Sequence, residues 1–386
     1  MSMKALLLSA YDAQSHRIWR SNLKSMFPEI HWTELVLPAR YFPWRVRGNS
    51  LSWAFTQRAT LTQDYAFLLC TSMTDLSALR GFVPALSRLP TAVYYHENQF
   101  AYPQNPDPQA RQTNPVEPQI LSLYTALCAT RVVFNSAYNR DSFLAGARQL
   151  LHKLPDHVPE GLLHGIEQAS VIPVPLEDGL FSPRRKPAPS EPELLEIVWN
   201  HRWEYDKGPQ LLLAIVQGLI ARGLRFRLHL LGQRFRSAPV VFSDLERLLQ
   251  DYAAVLGITA GQTAYIEDQQ DYYSVLAQAD VGLSTAEHDF QGLSVLEACA
   301  LGCAPLAPQR LVYPEYLPAQ CLYQGTGSIA EQADSAVAVL TRWAAMKAAN
   351  MPLPRPDVSR FSQRALRDEY RALIHSLLSL GAGGSP

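Results

Sequence analysis

Two cations, Arg202 and Lys207, lie close enough in the sequence to bind one anionic ligand together. They flank a short loop, Asn200-His-Arg-Trp-Glu-Tyr-Asp-Lys-Gly-Pro209, that opens a predicted helix at Pro209. The N-terminus of a helix favours an anion, and two added cations would hold a diphosphate there without a metal. A solvated charged loop would have the same composition, so the charge pattern alone leaves both interpretations open.

Two carboxylates form a second segment of interest, after a predicted strand at Val281–Ser284. Asp289 lies in the loop that follows this strand, and Glu297 lies eight residues further on, in the next predicted helix. Gly292 between them permits a tight turn and close approach of the backbone. Such carboxylates can grip neighbouring hydroxyl groups bidentately, as on a sugar and a ribose. Alternatively, Glu297 caps its helix or forms a salt bridge within it.

Two further polar loops follow predicted strands in the N-terminal half of the chain. His96, Glu97 and Asn98 come directly after the strand Thr91–Tyr95, where a routine turn would use Gly, Pro or Asp. A lone histidine would more often be structural, but the cluster favours a site. The segment Ser9–His16 lacks the glycines of a dinucleotide fingerprint, which argues against a nicotinamide or flavin cofactor.

Several common motifs are missing from the sequence. It has no Gly-x4-Gly-Lys-Ser/Thr phosphate loop, no Gly-x-Ser-x-Gly elbow and no Asp-x-Asp, which argues against a metal-bridged nucleotide-sugar site. The five cysteines are few and odd in number, which favours a reducing compartment over a disulfide scaffold. Cys299 and Cys303 are the only close pair, and we expect core thiols there rather than a zinc site. We therefore expect no metal and no resident cofactor.

The predicted secondary structure around these residues alternates between short apolar strands and longer helices, as in parallel sheets covered on both faces. Strands are predicted at Ala5–Ser9, Tyr65–Cys70, Thr91–Tyr95, Arg131–Phe134, Leu194–Trp199, Arg225–Leu231, Thr263–Ile266, Val281–Ser284 and Ala304–Ala307. Helices are predicted at His16–Met26, Ile120–Ala129, Tyr138–Leu150, Pro209–Arg222, Asp271–Ala279, Ser294–Leu301 and Ser359–Leu380. Ligands of such sheets bind beyond the carboxyl ends of the strands, which is where the polar segments fall.

The length of 386 residues suits two domains. We expect an α/β fold with a Rossmann-like domain at 1–175, a proline-rich linker at 176–193 and a second Rossmann-like domain at 194–358. A C-terminal helix with a flexible tail, at 359–386, would pack back on the first domain. Two doubly wound domains joined in this way would face each other across an interdomain cleft. No apolar run approaches the roughly 18 residues that span a bilayer, which argues against an integral membrane protein. We expect the protein to be cytoplasmic.

Positive charge is concentrated near the start of the chain, although the whole chain has a net charge of −1. Residues 1–63 contain eight Lys or Arg against three acids, and no acidic residue lies between positions 34 and 64. Arginine binds phosphate and aromatic faces stack on splayed bases, so we predict RNA binding in this interval. The predicted RNA-binding residues are Arg40, Trp44, Arg45 and Arg47. Arg45 and Arg47 alternate as on one face of a strand or extended loop, whereas Trp53 and Phe55 could simply belong to the core.

Short motifs that cover nearly the whole chain, outside the linker and the tail, resemble those of a known family. They are Ser15-His16, Leu37-Pro38-Ala39, Trp44-Arg45-x-Arg47, His96-Glu-Asn-Gln99, Tyr102-Pro103, Phe134-Asn-Ser136, Asn200-His-Arg-Trp203 and Leu311-Val-Tyr-Pro-Glu315. In them the chain is similar to the tRNA-queuosine α-mannosyltransferases. The Arg202…Lys207 pair and the carboxylate pair resemble those of the wider family 4 of two-domain (GT-B) glycosyltransferases.

This resemblance implies a retaining transfer of a hexose, mannose from GDP-mannose, to queuosine in a tRNA anticodon. It implies catalytic roles for His96, Arg202, Lys207 and Asp289, with the two cations on the diphosphate of the donor. It places Glu297 on the ribose and Asp289, where the family usually has glutamate, on the donor sugar. The other donor-binding residues that it implies are Ser15, His16, Glu97, Asn98, His288, Gly292 and Leu293. The partners would be a nucleotide-sugar and queuosine-containing tRNA.

Two other functions stay open from the sequence. Many family 4 enzymes use lipid or glycan acceptors, and the predicted helix His16–Met26 carries basic residues beside apolar ones, a pattern compatible with a membrane surface. A non-catalytic tRNA-binding protein on the same scaffold is the other alternative. The presence of Arg202, Lys207 and Glu297 disfavours it.

Overall fold

The computed structural model describes residues 3–102, 116–155, 157–182, 191, 193–234 and 238–382. The chain forms two compact units, Met1–Glu177 with Phe361–Pro386, and Asp178–Arg360. Residues 183–190 and 192 of the predicted linker lie outside the described residues, as do residues 383–386 of the predicted tail. Within the described ranges, no helix is both long and apolar enough to span a membrane.

The first unit is built on a parallel six-stranded sheet in the order β2-β1-β3-β4-β5-β6. Its strands are β1 (Lys4–Asp12), β2 (His31–Pro38), β3 (Phe67–Thr71), β4 (Thr91–Tyr95), β5 (Arg131–Phe134) and β6 (Ser170–Val171). Its helices are α1 (Gln14–Met26), α2 (Phe42–Thr56), α3 (Arg58–Leu61), α4 (Leu76–Phe82), α5 (Val116–Cys128), α6 (Ala137–Lys153) and α7 (His164–Glu167). Successive residues Leu6, Leu7 and Leu8 of β1 are all fully buried, as expected for a parallel strand covered on both faces.

The second unit contains another parallel six-stranded sheet, in the order β12-β11-β10-β7-β8-β9. Its strands are β7 (Leu195–Asn200), β8 (Phe226–Leu231), β9 (Thr263–Ala264), β10 (Val281–Leu283), β11 (Ala304–Pro308) and β12 (Leu322–Tyr323). Its helices are α8 (Pro209–Ala221), α9 (Val241–Leu256), α10 (Gln269–Gln278), α11 (Leu293–Ala300) and α12 (Ile329–Ala348). The strand order reverses between β7 and β10, which is the switch point where doubly wound sheets bind ligands.

The basic segment of the first unit differs from the expectation. Arg45 and Arg47 were predicted to alternate on a strand or extended loop, and this is wrong, because both lie in helix α2. Residues two apart on a helix point about 200° apart, so the two side chains do not share a face. The helix forms because Val46, Trp53 and Ala54 recur at helical spacing and are buried in the core.

The chain returns to the first unit at its C-terminus through helix α13 (Gln363–Ala382). The indole Nε1 of Trp19 donates to the Tyr370 hydroxyl at 3.0 Å, and that hydroxyl donates to the carbonyl of Pro173 at 2.9 Å. Gln363 Nε2 donates to Asn22 Oδ1 at 2.9 Å. Helix α13 therefore covers the face of α1 that carries Trp19 and Asn22.

Helix α1 is a half-buried element of the fold. Its apolar residues Trp19, Leu23 and Met26 face the interior. Arg20 forms ion pairs with Asp12 and Glu34, and Lys24 pairs with Glu34 at 2.8 Å. The apolar face that a membrane-bound helix would offer to lipid is thus taken up by packing within the first unit.

Candidate active site

Most of the candidate residues of the second unit lie at the switch point of its sheet. Arg202 and Lys207 follow the carboxyl end of β7, while His288 and Asp289 follow the carboxyl end of β10. Adjacent parallel strands bring their carboxyl ends to one edge, and β7 and β10 are paired neighbours. The two segments that the sequence singled out independently are therefore brought together.

The Lys207 ammonium is held where those two loops meet. It is buried and donates to the carbonyl of His288 at 2.6 Å. Its Nζ lies 3.4 Å from Asp206 Oδ2 and 3.9 Å from Asp289 Oδ1. The next residue, Gly208, has φ +64, and a Cβ there would lie 2.1 Å from the carbonyl oxygen of Thr285. Only glycine permits this close approach, which fixes the start of α8 against the β10 loop.

Asp206 is a member of this site that sequence analysis did not identify. Its carboxylate is 1% exposed and lies 3.7 Å from Arg202 Nη2 and 3.7 Å from His288 Nδ1. Burial opposes its ionisation, but the charges of Lys207 and Arg202 and the ring of His288 hold the pKa of this carboxyl well below its usual range. Asp206 is therefore an anion that offsets the two cations when no diphosphate is bound. The only sequence signal for it was its place between them.

The two predicted carboxylates are each oriented by a tyrosine. Asp289 Oδ2 accepts a hydrogen bond from the Tyr313 hydroxyl at 2.8 Å, and Glu297 Oε2 accepts one from the Tyr272 hydroxyl at 2.9 Å. Tyr313 is buried and Tyr272 is partly buried, and burial together with the neighbouring carboxylate raises the pKa of each phenol well above its usual value. They therefore remain donors and fix the carboxylate oxygens in place.

Helix α11 completes this cluster. Gly292 precedes it with φ +70, and a Cβ at Gly292 would lie 2.6 Å from the Tyr316 hydroxyl oxygen. Leu293 is the first helical residue, and Ser294 Oγ lies 3.2 Å from His201 Nδ1. Like α8, α11 starts from a left-handed glycine without a side-chain cap among the described residues, which leaves its first N–H groups for an anion.

A second cluster lies at the carboxyl edge of the sheet in the first unit. His16 in α1 and His96 after β4 stack with ring centroids 4.0 Å apart. His16 Nε2 lies 3.2 Å from Glu97 Oε2, and Ser72 Oγ, after β3, donates to Glu97 Oε1 at 3.5 Å. Burial, helped by the nearby His16, holds the pKa of His96 well below its usual value, so the imidazole is neutral. Neither ring nitrogen of His96 has a hydrogen-bond partner among the described residues.

The other two predicted donor-binding residues of this unit are Asn98 and Ser15. Asn98 is fully buried, and its amide nitrogen contacts Asn139 and Ser142 of α6 while its oxygen accepts from the next backbone N–H groups. It holds the loop that carries His96 and Glu97. Ser15 is half-buried in the first turn of α1.

The predicted RNA-binding residues are spread over different faces of α2 and its N-terminus. Arg40 and Trp44 are exposed, whereas Arg45 is only partly exposed. Arg47 Nη1 lies 3.1 Å from Asp75 Oδ2, and its Nε lies 3.1 Å from Glu117 Oε1. Much of the charge that Arg47 could offer to a phosphate is thus neutralised.

Metal-ligating side chains are dispersed in this structure. In the described part of the chain, no three His, Cys, Asp or Glu residues are grouped so that they could hold a metal ion. Cys299 and Cys303 are buried thiols, as predicted for core residues.

Comparison with known proteins identifies relatives of the chain. A family model described as tRNA-queuosine alpha-mannosyltransferase N-terminal matches residues 4–176. A tRNA-queuosine alpha-mannosyltransferase of Drosophila melanogaster is 31% identical over 305 residues, which cover 77% of each chain.

Solved structures share the fold at low identity. Anabaena Alr3699/HepE in complex with UDP has a TM-score of 0.64 at 13% identity, covering 97% of this chain and 100% of that one. An α,α-trehalose-phosphate synthase from Burkholderia xenovorans has a TM-score of 0.64 at 16% identity, with coverage of 97% and 99%. A sucrose-phosphate synthase from Thermosynechococcus elongatus also reaches 0.64, at 14% identity, with coverage of 97% and 99%. The predicted GT-B α/β fold is thus confirmed.

The motifs that suggested a family from the sequence agree with an independent relative at 31% identity and with the family model of the N-terminal domain. The chain therefore belongs to the tRNA-queuosine α-mannosyltransferase family, and it is a glycosyltransferase.

Proposed function

We propose that this glycosyltransferase moves mannose from GDP-mannose to a hydroxyl group of queuosine in a tRNA anticodon, with retention at the anomeric carbon. The observation that carries the proposal is the meeting of Lys207, Arg202, Asp289 and Glu297 at one edge of the second sheet. Membership of the family supports the acceptor and the sugar. The enzyme would work with these partners and without a metal or resident cofactor, in the cytoplasm.

The second unit would bind the donor. Lys207 and Arg202, with the first N–H groups of α8 and α11, would neutralise the negative charge that builds up on the departing diphosphate. Glu297, oriented by Tyr272, would accept hydrogen bonds from the ribose hydroxyls. Asp289, oriented by Tyr313, would accept them from the sugar.

The reaction would break the bond between the anomeric carbon and the diphosphate oxygen and form a bond to the acceptor oxygen on the same face. The proton of the acceptor hydroxyl would pass to the departing phosphate oxygen. In this proposal Asp289 binds the sugar hydroxyls and does not act as a covalent nucleophile. Neutral His96, in the cluster of the first unit, would contact the donor sugar or the acceptor hydroxyl.

A comparison of labelled donors and of acceptors tests this proposal. The protein is incubated with radiolabelled GDP-mannose, UDP-glucose or UDP-galactose, and with tRNA that contains or lacks queuosine. We expect label in queuosine-containing tRNA from GDP-mannose only. Label that enters lipid or glycan but not tRNA would support the alternative acceptor class and contradict the proposal. Binding of tRNA with no transfer from any donor would support a non-catalytic role.

A further inference from the structure

The outer face of helix α2 carries a row of exposed apolar side chains. Tyr41, Trp44, Leu51 and Phe55 recur at helical spacing, and they are 71%, 56%, 46% and 67% exposed. The opposite face of the helix packs into the core through Val46, Asn49, Trp53 and Ala54. Folding needs one apolar face, so a second one that stays in water marks a binding surface. We refer to Tyr41, Trp44, Leu51 and Phe55 as the α2 stripe.

The indole of Trp44, within the α2 stripe, packs against Gly48, one turn further along the helix. A Cβ at Gly48 would be 2.4 Å from Trp44 Cε2 and 2.6 Å from its Nε1. Glycine is unfavourable in the interior of a helix, but here the missing side chain leaves the space that the indole occupies. The ring is thereby held against the backbone at Gly48, while much of the side chain remains exposed.

The surroundings of the α2 stripe are positively charged. The Arg40 guanidinium lies 5.7 Å from the centroid of the Tyr41 ring, and Arg58 is exposed just beyond the other end of the helix. No acidic residue occurs between positions 34 and 64. An aromatic surface between arginines complements a polyanion whose bases are unstacked.

The α2 stripe starts at the functional edge of the first unit. Helix α2 follows the carboxyl end of β2, and the ring of Phe42 meets that of Tyr11, at the end of β1, with centroids 5.6 Å apart. The cluster around His16 and His96 lies at the carboxyl ends of the same sheet. Phe55 lies roughly 16 Å further along the helix than Trp44, given a rise of about 1.5 Å per residue.

We propose that the α2 stripe is a stacking surface for unpaired bases of the acceptor tRNA, with Trp44 on Gly48 as its main platform. This inference rests on the proposed function and adds the surface that receives the RNA. An indole that is already held against the helix backbone loses little conformational freedom when a base stacks on it, and the flanking arginines complement the phosphates. The arginine pair Arg45 and Arg47 is secondary, because Asp75 and Glu117 already engage Arg47.

Two substitutions test stacking, and a third, Arg40→Ala, tests the contribution of charge. Trp44→Ala removes the platform, and Gly48→Ala displaces the indole while leaving its chemistry intact and supplying a better helix former. Their dissociation constants are measured for queuosine-containing tRNA and for its anticodon stem-loop, together with their affinity for GDP and their thermal midpoints. Tyr265→Ala, which removes an exposed tyrosine of the second unit, is the matched control.

We expect Trp44→Ala to weaken binding of the stem-loop at least about fivefold, because one stacked base is lost. Gly48→Ala should weaken it in the same direction without lowering the thermal midpoint, and both variants should bind GDP as the wild type does. Arg40→Ala should reduce the slope of log affinity against log salt by about 0.7 to 0.9, and Trp44→Ala should leave that slope unchanged. Tyr265→Ala should match the wild type throughout.

Wild-type affinity for tRNA in both Trp44→Ala and Gly48→Ala, in an enzyme that still glycosylates queuosine-containing tRNA, would overturn this inference and leave the proposed function standing. Loss of binding to anionic phospholipid vesicles in Trp44→Ala, with tRNA binding unchanged, would make the stripe a membrane surface and would overturn it as well. A wild-type protein that neither binds nor modifies tRNA would remove the proposed function and this inference together.

Discussion

At the scale of single residues, the proposed donor site depends on two cations, Arg202 and Lys207, that the fold holds beside each other. Lys207 is buried between the carbonyl of His288 and the carboxylates of Asp206 and Asp289. We expect Lys207→Ala and Arg202→Ala each to lower turnover by roughly 10²-fold or more, because each removes charge opposite the developing diphosphate. Initial rates of transfer check this, with Arg222→Ala, an exposed arginine of the same unit, as the control. Near-normal rates in correctly folded variants would remove these residues from the site.

The two carboxylates should have separable roles. Glu297→Gln should weaken binding of the nucleoside diphosphate itself, because the contacts to the ribose are weakened. Asp289→Asn should leave that affinity unchanged and impair use of the intact sugar donor. Calorimetry with GDP and with GDP-mannose measures both effects. The reverse order of effects would show that the roles of the two residues are exchanged.

Buried histidines make stability depend on pH. Burial, assisted by Lys207, lowers the pKa of His201 to about 4 from 6.5. Protonation therefore favours the unfolded chain, and stability that is complete above pH 6.5 is lost as the pH falls from 6.5 towards 4. We expect a loss on the order of 3 kcal/mol from this residue. The free energy of unfolding, measured with denaturant at several pH values in this range, should depend less on pH in His201→Gln than in the wild type. An identical pH dependence in the two proteins would contradict the role given to His201.

Sequence reasoning named four charged candidates of the second unit but not the side chains that hold them. Arg202, Lys207 and Asp289 became candidates because they lie in loops that follow predicted strands, and Glu297 because it lies eight residues after Asp289. Asp206, Tyr272 and Tyr313 were not assigned to the site, because a carboxylate between two cations or a tyrosine elsewhere in the chain gives no local signal of its partner. The contacts that join them run across tens of residues and exist only in the folded sheet.

At the scale of elements, the start of α8 is fixed by a close approach of two backbones. Gly208→Ala would add a Cβ 2.1 Å from the Thr285 carbonyl, in a left-handed residue. Gly223 has nearly the same φ, +65, but open space around it, so Gly223→Ala carries only the conformational cost. We expect Gly223→Ala to destabilise by about 1 kcal/mol and Gly208→Ala by about 2–3 kcal/mol or more, with loss of transfer activity. Equal stabilities in denaturant unfolding would contradict the close approach.

Strands that are continuous apolar runs were predictable from the sequence, whereas a helix with two apolar faces was not. The predictions at Thr91–Tyr95 and Arg131–Phe134 match β4 and β5, because such strands are continuous apolar runs. Helix α2 was misread, because it has apolar side chains both on its core face and on its exposed stripe, which hides the helical period. Strand β2 and helices α9 and α12 were also not predicted.

At the scale of the whole molecule, the charge of the donor should be balanced by the protein alone. We expect transfer to persist after treatment with EDTA and removal of the chelate, because Lys207, Arg202 and two helix N-termini meet at the second sheet's switch point. Initial rates with and without added magnesium check this. Activity that EDTA abolishes and magnesium restores would show that a metal shares this role.

The most direct test of the central claim is mass spectrometry of nucleosides from tRNA that has been incubated with the protein and GDP-mannose. We predict that queuosine is converted to a mannosyl-queuosine in the wild-type reaction, that the linkage is sensitive to α-mannosidase, and that Lys207→Ala gives little product in the same time. Unmodified queuosine in the wild-type reaction, with the donor intact and the protein folded, would contradict the claim.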